Sequence, residues 1–198
     1  MSEAPNLSSP LLGIPSMDGD RERIEAAMHD AVVTPDAYLN EIASHLIVAG
    51  GKRLRPVLSV AASRVQGGEA SHDVVRGGVA CELVHLGSLY HDDVMDEADT
   101  RRGVETVNAK WGNLQAILAG DFLLSRASEI AASLGTEVAG LLARTIGWLC
   151  EGQLEELRHT YDPARTESSY LASIHGKTAS LYGTAARVGG LVGGHDRP

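Results

Sequence analysis

Aromatic side chains are scarce in this chain of 198 residues, and so is positive charge. Phe, Trp and Tyr make up 4% of the residues, which argues against a stacking platform for nucleic-acid bases and against a β-sandwich. Lys and Arg number 17 against 26 Asp and Glu, which gives a formal net charge of −9. A chain this acidic is a poor candidate for holding nucleic acid through a general positive field, so we expect no nucleic-acid partner.

Cysteine and long apolar runs are also scarce. Cys81 and Cys150 are too few for a disulfide framework, and both lie in apolar stretches, so we expect buried thiols and a cytoplasmic location. Charged residues interrupt each apolar stretch before the roughly 18–20 residues that cross a bilayer, so we expect no transmembrane segment. Residues 1–19 have no basic segment before a long apolar core and do not resemble a signal peptide. Their Pro, Ser and Gly content predicts a disordered lead-in.

The remainder of the chain, residues 20–198, is rich in Ala, Leu, Glu and Arg and has no alternating β-branched runs, which predicts one helical domain. Thr34-Pro35 predicts the start of a helix and Gly50-Gly51 its end. Further helices are predicted from Pro56 to residue 66 and over residues 71–97, 113–133, 136–159 and 167–191. Long helices with short joints are typical of an all-α bundle.

An acidic segment follows an apolar run that we expect to be buried. Asp92 and Asp96 are four residues apart, so they share one face of the predicted helix, with Asp93 on an adjacent face. Like charges at this spacing destabilise an isolated helix, and a divalent cation relieves the repulsion directly. Mg²⁺ usually takes only one or two protein carboxylates, while substrate phosphate and water supply its other ligands. The pattern favours a magnesium site at Asp92 and Asp96; the alternative is a solvated acidic helix end.

A basic loop precedes this segment, with the sequence GGKRLRP at residues 50–56. Glycine lets a backbone approach a ligand closely, and Lys52, Arg53 and Arg55 together suit an anion. A Walker-type phosphate loop is disfavoured, because its GxxxxGK[ST] pattern is absent and no strand is predicted before the loop. The loop therefore predicts an anion site, and a solvated basic turn is the alternative.

Isolated polar residues within the predicted helices add weaker candidates. His85 lies on the same helix face as Asp92, and a hydrogen-bonded core histidine is the alternative. Lys177 lies in a later helix of small residues and points either into the bundle or to the surface. Gln153 and Asp121 are polar groups that helix packing satisfies equally well.

Five segments, in this order, resemble those of the trans-isoprenyl diphosphate synthases, or polyprenyl synthetases: GGKRLRP, ELVHLGSLYHDDVMDEADTRRG, AGDFLL, EGQ and HGKTASL. The resemblance covers about residues 43–194. It implies an isoprenoid-synthase-type helical bundle around a deep central cavity, usually as a homodimer. It also implies a Mg²⁺-dependent prenyltransferase that condenses isopentenyl diphosphate with an allylic diphosphate.

The same resemblance assigns roles to individual residues. Asp92 and Asp96 would hold Mg²⁺ on the allylic diphosphate, with Asp93 in support. The residues that would hold isopentenyl diphosphate are Lys52, Arg55, His85 and Arg102, with Arg53 beside them in the basic loop. The residues that would contact the allylic diphosphate or line the chamber are Arg101, Lys177, Thr178 and Gln153. The acidic and the basic groups are expected to face each other across the cavity.

The cavity floor is predicted from Gly87 and Ser88, which lie one turn from Asp92 on the same face. A bulky aromatic residue there would close the cavity beneath the diphosphate, whereas glycine and serine leave the space open. We therefore expect a product longer than fifteen carbons, and a shorter product from Ser88→Phe.

A second aspartate-rich motif, which the family carries on a later helix, has no counterpart in this sequence. Asp92-Asp93 is the only Asp-Asp pair, and the 21 residues after Lys177 contain one acid, Asp196. We expect a partial bundle without the last helices, whose residues 167–191 expose an apolar flank that favours self-association or pairing with another prenyl synthase chain. Two alternatives stay open, a prenyltransferase with reduced activity as a lone chain and a non-catalytic subunit. A Mg²⁺-dependent phosphohydrolase is disfavoured, since it leaves GGKRLRP and HGKTASL unexplained.

Overall fold

Helices occupy most of the chain in the computed structural model, which describes residue 14 and residues 17–195. In chain order they are α1 (Met17–Ala31), α2 (Ala37–Val48), α3 (Leu54–Ser63), α4 (His72–Met95), α5 (Val107–Trp111), α6 (Asn113–Ser133), α7 (Thr136–Arg158), α8 (Glu167–Ile174) and α9 (Ser180–Val192), with a π turn at His175–Ala179 between the last two. The all-α prediction is confirmed. A small antiparallel hairpin, β1 (Thr100–Arg101) and β2 (Val104–Glu105), was not predicted, because two-residue strands are too short to show an alternating pattern.

Helix α4 lies at the centre of the bundle, in contact with α1, α3, α6 and α9. Its buried residues lie on every face rather than on one stripe, as expected for a helix enclosed on all sides. Two glycines let neighbouring helices come close. A Cβ on Gly77 would lie 2.6 Å from Val188 Cγ1 on α9, and one on Gly78 would lie 2.7 Å from Pro56 Cα on α3. This central position places side chains of α4 beside residues from most of the bundle.

Two helix starts differ from the sequence prediction. The cap of α2 is Asp36 rather than Thr34, since the Asp36 side chain accepts hydrogen bonds from the amides of residues 38 and 39 at 2.9 and 3.2 Å. Thr34 instead accepts a hydrogen bond from the Asp36 amide at 2.9 Å. Helix α3 begins at Leu54, and Pro56 lies within its first turn, where a missing N–H costs no intrahelical bond.

The first helix overlaps the predicted lead-in. Most of residues 1–19 lie outside the described residues, whereas residues 17–19 form the first turn of α1. None of the helices in the described part of the chain is long and apolar enough to cross a membrane.

The two cysteines differ in their surroundings. Cys81 is buried as expected, in a stretch of α4 where Leu83, Leu86 and Tyr90 are also fully enclosed. Cys150 is exposed, so the expectation for it is wrong. The apolar stretch around it belongs to α7, whose buried residues follow a single stripe that leaves position 150 on the outer side.

The predicted helix over residues 167–191 is interrupted by the π turn. Such turns insert one residue into a helix and often occur at functional sites. Close backbone contact with α7 holds the turn in place: a Cβ on Gly152 would lie 2.4 Å from the Lys177 amide nitrogen, and one on Gly176 would lie 2.8 Å from the Trp148 carbonyl oxygen. The glycines of the EGQ and HGK segments thus let these two backbones touch and fix the position of Lys177.

Candidate functional site

A cleft of about 370 Å³ lies where the loop between α2 and α3 meets α4 and α9. We call it the cationic cleft and define it by the polar side chains that line it: Lys52, Arg53, Arg55, Glu82, His85, Arg102 and Tyr182. The structure therefore brings together the basic loop, the histidine of α4 and one arginine of the hairpin, which the sequence places up to 50 residues apart.

Arg53 is a buried anchor of the loop rather than an open anion ligand. Its guanidinium donates to both oxygens of Glu25 at 2.7 and 3.1 Å and to the Ile47 carbonyl at 2.8 Å. Only 2% of its surface is exposed. The expectation that Arg53 clamps a ligand directly does not fit this placement, because its donors already have protein partners.

Arg55 meets different neighbours. Its guanidinium carbon lies 4.5 Å from the centre of the Tyr182 ring, a cation–π contact, and its Nη1 lies 3.9 Å from Glu82 Oε2. Its Nε is buried without a hydrogen-bond partner. Burial lowers the pKa of Arg55, and the negative charge of Glu82 opposes that shift. Arg55 thus keeps donor capacity inside the cleft.

Arg102 enters the cleft from the unpredicted hairpin. It occupies a left-handed backbone conformation with φ of 53° in the turn, and its Nη1 donates to the carbonyl oxygens of Leu46, at 3.2 Å, and Gly50. A Cβ on Gly51 would lie 2.9 Å from the same nitrogen, so glycine is needed for this approach. Gly51 therefore makes room for an arginine side chain, whereas a Cβ on Gly50 would meet nothing within 4 Å.

His85 is a neutral side chain within this positive region. Burial lowers its pKa to about 3, and the positive charges of Arg55, Arg102, Arg101 and Arg53 add to the effect. At neutral pH it therefore offers one hydrogen-bond donor and one acceptor, but no charge.

The acidic residues lie further along α4, outside the cleft. Asp96 is exposed at the end of the helix, and Asp92 is partly buried. Burial raises the pKa of Asp92, the positive charge of Lys177 opposes the shift, and the negative charge of Asp96 adds to it. Asp93 is 1% exposed and accepts a hydrogen bond from Arg101 Nε at 2.7 Å, so it holds the hairpin against α4.

The Asp92–Asp96 pair fits a metal ion that is shared with a substrate. Within the described residues, no group of three or more His, Cys, Asp or Glu side chains is arranged to hold a metal ion by itself. Two carboxylates on one helix face suffice for Mg²⁺, because water and phosphate oxygens supply its other ligands. Burial and the negative charge of Asp96 both disfavour the ionised form of Asp92, and the positive charge of a bound cation would favour it.

Lys177, on the π turn, lies between two helices that carry acids. Its Nζ donates to Glu156 Oε2 on α7 at 2.6 Å, and its charge opposes the rise that burial causes in the pKa of Asp92 on α4. Thr178 follows it on the turn and is exposed. Gln153, one turn before Glu156, has a buried Oε1 without a hydrogen-bond partner. The π turn therefore places a cation close enough to Asp92 for its charge to act on that carboxylate.

Asp92 and Asp96 do not line the cationic cleft, whose lysine and arginines come from the loop after α2, from α3 and from the hairpin. His85 and Asp92 are seven residues apart, which is about 10 Å along a helix. Arg101 and Arg102 connect the two groups, since Arg101 bonds Asp93 while Arg102 lines the cationic cleft. The expectation that the acidic and basic groups face each other across a cavity stays a prediction, since the cleft lined by the basic groups does not include Asp92 or Asp96.

The predicted cavity floor is only partly open. A Cβ on Gly87 would lie 2.9 Å from the Gly120 carbonyl oxygen and 3.3 Å from Leu124 Cγ, so Gly87 serves the packing of α4 on α6. The interpretation of Gly87 as open space is therefore wrong. Ser88 is partly exposed, and its Oγ donates to the His85 carbonyl at 2.8 Å. Asp121 is exposed, 3.4 Å from His91 Nε2.

Three residues near the site were missed as candidates: Glu82, Glu156 and Tyr182. Glu156 lies three residues after Gln153, a spacing that shares one helix face and offered a signal. Tyr182 and Glu82 gave no comparable signal, because their contacts with Arg55 cross between helices.

The comparison with protein families decides the identity of the bundle. The family model described as polyprenyl synthetase matches residues 36–198. The chain belongs to the polyprenyl synthetase family. The family expected from the five segments is thereby confirmed.

The curated relatives are longer than this chain. It is 41% identical to the nonaprenyl diphosphate synthase of Mycobacterium tuberculosis over 172 residues, which are 87% of this chain and 51% of that protein. It is 39% identical to heptaprenyl diphosphate synthase component 2 of Geobacillus stearothermophilus over 186 residues, 92% of this chain and 57% of that one. The chain thus spans about half the length of these relatives.

Solved structures show the same bundle. A decaprenyl diphosphate synthase from Rhodobacter capsulatus matches with a TM-score of 0.87 and 35% identity, over 94% of this chain and 57% of that one. A polyprenyl synthase from Caulobacter crescentus, complexed with calcium and isoprenyl diphosphate, matches with a TM-score of 0.87 and 33% identity, over 94% and 56% of the two chains.

Proposed function

We propose that this chain condenses isopentenyl diphosphate with an allylic diphosphate and so lengthens a prenyl chain. The observation that carries the proposal is that the central helix α4 contributes His85 to the cationic cleft and, about two turns later, Asp92, on whose carboxylate the charge of Lys177 acts from the π turn. The cationic cleft suits a free diphosphate, and the Asp92–Asp96 pair suits a diphosphate that carries a metal ion. The reaction needs both. Relatives named for nonaprenyl, octaprenyl and heptaprenyl diphosphate synthesis support the same chemistry.

The cationic cleft is proposed to bind isopentenyl diphosphate. Lys52 is exposed at its mouth, and Arg55 and Arg102 extend into it, so several charge-assisted hydrogen bonds to phosphate oxygens are available. His85 adds a neutral hydrogen bond. Arg53 holds the loop in place through Glu25 and need not touch the ligand.

The acidic end of α4 is proposed to bind the allylic diphosphate. Asp92 and Asp96 would hold Mg²⁺, and Asp93 would keep Arg101 within reach of the same phosphates. Bound there, Mg²⁺ supplies positive charge that stabilises a departing diphosphate. Lys177 and Thr178 on the π turn donate hydrogen bonds to the same oxygens, and the Gln153 amide faces the chamber. Apolar helix surfaces exclude water from the allylic carbon.

The test is a condensation assay with the full chain. We expect labelled isopentenyl diphosphate, an allylic diphosphate and Mg²⁺ to give chain-extended products, and Asp92→Ala to abolish them. Asp99→Ala is the matched control, since Asp99 is a nearby exposed acid. Elongation that survives Asp92→Ala, or an unmodified chain that binds neither diphosphate, would contradict the proposal.

A second candidate is a subunit that works only with another prenyl synthase chain. Two of the relatives carry the name heptaprenyl diphosphate synthase component 2, at 39% and 34% identity. Asp92-Asp93 is also the only Asp-Asp pair in this sequence. Exposed apolar side chains on α7 and α8 offer a surface for a partner: Trp148, Leu154, Leu157, Leu171 and Ile174.

Light scattering after size-exclusion chromatography separates the two candidates. A homodimer that condenses substrates unaided supports the first. Activity that appears only when a second polyprenyl synthetase chain is added supports the second. Homodimerisation, magnesium dependence and a cytoplasmic location belong to the same proposal.

A further inference from the structure

A buried acid lies at the floor of the cationic cleft. Glu82 is on α4, three residues before His85, and only 2% of its surface is exposed. Its Oε1 lies 3.8 Å from Arg53 Nη1 and its Oε2 lies 3.9 Å from Arg55 Nη1. A negative charge in this place opposes the binding of any anion, so its presence requires a separate reason.

The contacts of Glu82 are ionic rather than tight hydrogen bonds. Distances of 3.8 and 3.9 Å exceed hydrogen-bond length, and Glu82 Oε2 has no hydrogen-bond partner. Burial raises the pKa of Glu82, and the charges of Arg55, Arg53 and Arg102 oppose that shift. The charge of Glu82 therefore attracts the arginine side chains, while their N–H groups do not donate hydrogen bonds to it.

Arg55 depends on this carboxylate more than Arg53 does. Arg53 has Glu25 and the Ile47 carbonyl as further partners, so it keeps its place without Glu82. Arg55 is held between the Glu82 carboxylate and the face of the Tyr182 ring. Without Glu82, the nearby arginine charges would repel one another, and Arg55 would lose its anionic contact in the cleft.

We propose that Glu82 is a positioning residue that fixes Arg55 in the cationic cleft before a diphosphate binds. The proposal rests on the proposed function of the cleft as the isopentenyl diphosphate site. Preorganised donors bind a diphosphate without first having to be assembled. The two phosphates of one ligand need donors at set positions, whereas a single phosphate needs only positive charge.

This role differs measurably from simple neutralisation. If Glu82 only reduced the charge of the cleft, its removal would tighten the binding of every anion. If it positions Arg55, its removal weakens diphosphate binding and leaves phosphate binding equal or tighter. The ratio of the two affinities therefore distinguishes the roles.

The experiment is calorimetric titration of the full chain with isopentenyl diphosphate and with inorganic phosphate, in EDTA so that no metal ion contributes. We expect Glu82→Gln to weaken diphosphate binding about tenfold, the usual scale for a lost charged contact, without weakening phosphate binding. Glu82→Asp keeps the charge but withdraws it by one methylene. Its ratio of diphosphate to phosphate affinity should therefore lie between those of the unmodified chain and Glu82→Gln. The matched control is Asp20→Asn, which removes another buried carboxylate, paired with Arg64 at 2.6 Å outside the cleft, and should leave the ratio unchanged.

Two outcomes overturn the positioning role. One is a Glu82→Gln protein that binds both anions more tightly in equal proportion. The other is a Glu82→Asp protein whose ratio of diphosphate to phosphate affinity equals that of the unmodified chain. This second outcome decides the question if Glu82→Gln fails to fold. Lys52→Ala tests the cleft separately. If the unmodified chain binds no diphosphate, or Lys52→Ala does not weaken its binding, the proposed function of the cleft fails instead.

Discussion

Lys177 is paired with Glu156 on α7, and its charge also acts on Asp92 on α4. Its ion pair with Glu156 is short, at 2.6 Å, but both side chains are about a third to a half exposed, so solvent screens the interaction. Such a pair contributes little to stability, at most about 1 kcal/mol. The lysine is therefore free to exchange Glu156 for a phosphate oxygen at little cost.

Lys177→Ala is expected to lower kcat/KM for condensation by about a hundredfold, since it removes a charged donor to the leaving diphosphate. The free energy of unfolding should change by less than about 1 kcal/mol. Steady-state kinetics and urea denaturation measure the two effects. Lys110→Ala, at an exposed lysine paired with Glu41, is the control that should leave both unchanged.

His85 makes stability depend on pH. Its folded-state pKa of about 3 lies below its ordinary value, so between these values the unfolded chain binds a proton that the folded chain does not. The His85 contribution to the free energy of unfolding therefore falls as pH falls through this window, by up to about 1.4 kcal/mol per pH unit.

We expect His85→Gln to remove that slope between about pH 6 and pH 4. Urea denaturation at a series of pH values measures it. His72→Gln is the control, because His72 is exposed at the start of α4. Parallel pH curves for His85→Gln and the unmodified chain would show that His85 is not buried as described.

At the scale of elements, the junction between α7 and the π turn determines where Lys177 lies. Gly152 meets the π turn backbone directly, whereas Gly147, on the same helix, has open space around its Cα. Substitution by alanine is therefore expected to affect stability differently at these two glycines.

Gly152→Ala is expected to destabilise the fold by about 1–3 kcal/mol, because its methyl group must push α7 and the π turn apart. Gly147→Ala should be neutral or stabilise by up to about 1 kcal/mol, through higher helix propensity. Thermal and urea unfolding compare the two variants. Equal stability of both would mean that α7 and the π turn do not touch.

The proposed floor of a prenyl chamber is also on α4. Ser88→Phe is expected to shorten the product, because an aromatic ring one turn from Asp92 occupies space that the growing chain needs. Chromatography of the products measures chain length. An unchanged distribution would refute the floor at Ser88, while Gly87 is unsuitable for the same test because any side chain there meets the backbone of α6.

At the scale of the whole molecule, the two proposed diphosphate sites differ in their need for metal. The cationic cleft carries its own positive charge, whereas the Asp92–Asp96 pair attracts a diphosphate only through a cation.

We expect EDTA to abolish condensation and to weaken allylic diphosphate binding by about tenfold or more, because the carboxylates then repel the phosphates. Binding of isopentenyl diphosphate to the cationic cleft should change by less than about twofold, because arginine and lysine provide its charge. Calorimetry with and without Mg²⁺ measures both. An equal loss for the two ligands would contradict separate sites.

The sequence by itself determined the features that depend on local spacing. Helix geometry alone puts Asp92 and Asp96 on one face, and glycine pairs and prolines mark helix ends to within a few residues. The five segments were sufficient to establish the family, which the family model confirms.

Only the tertiary structure decided that residues close together in the sequence have different partners. Arg53 and Arg55 are two residues apart, yet Arg53 donates hydrogen bonds to Glu25. Arg55 lies between Glu82 and Tyr182. These contacts join residues from α1, α3, α4 and α9, and their formation depends on how closely the helices pack. Helix packing depends on the side chains of both partners at once, so no spacing along a single helix encodes it.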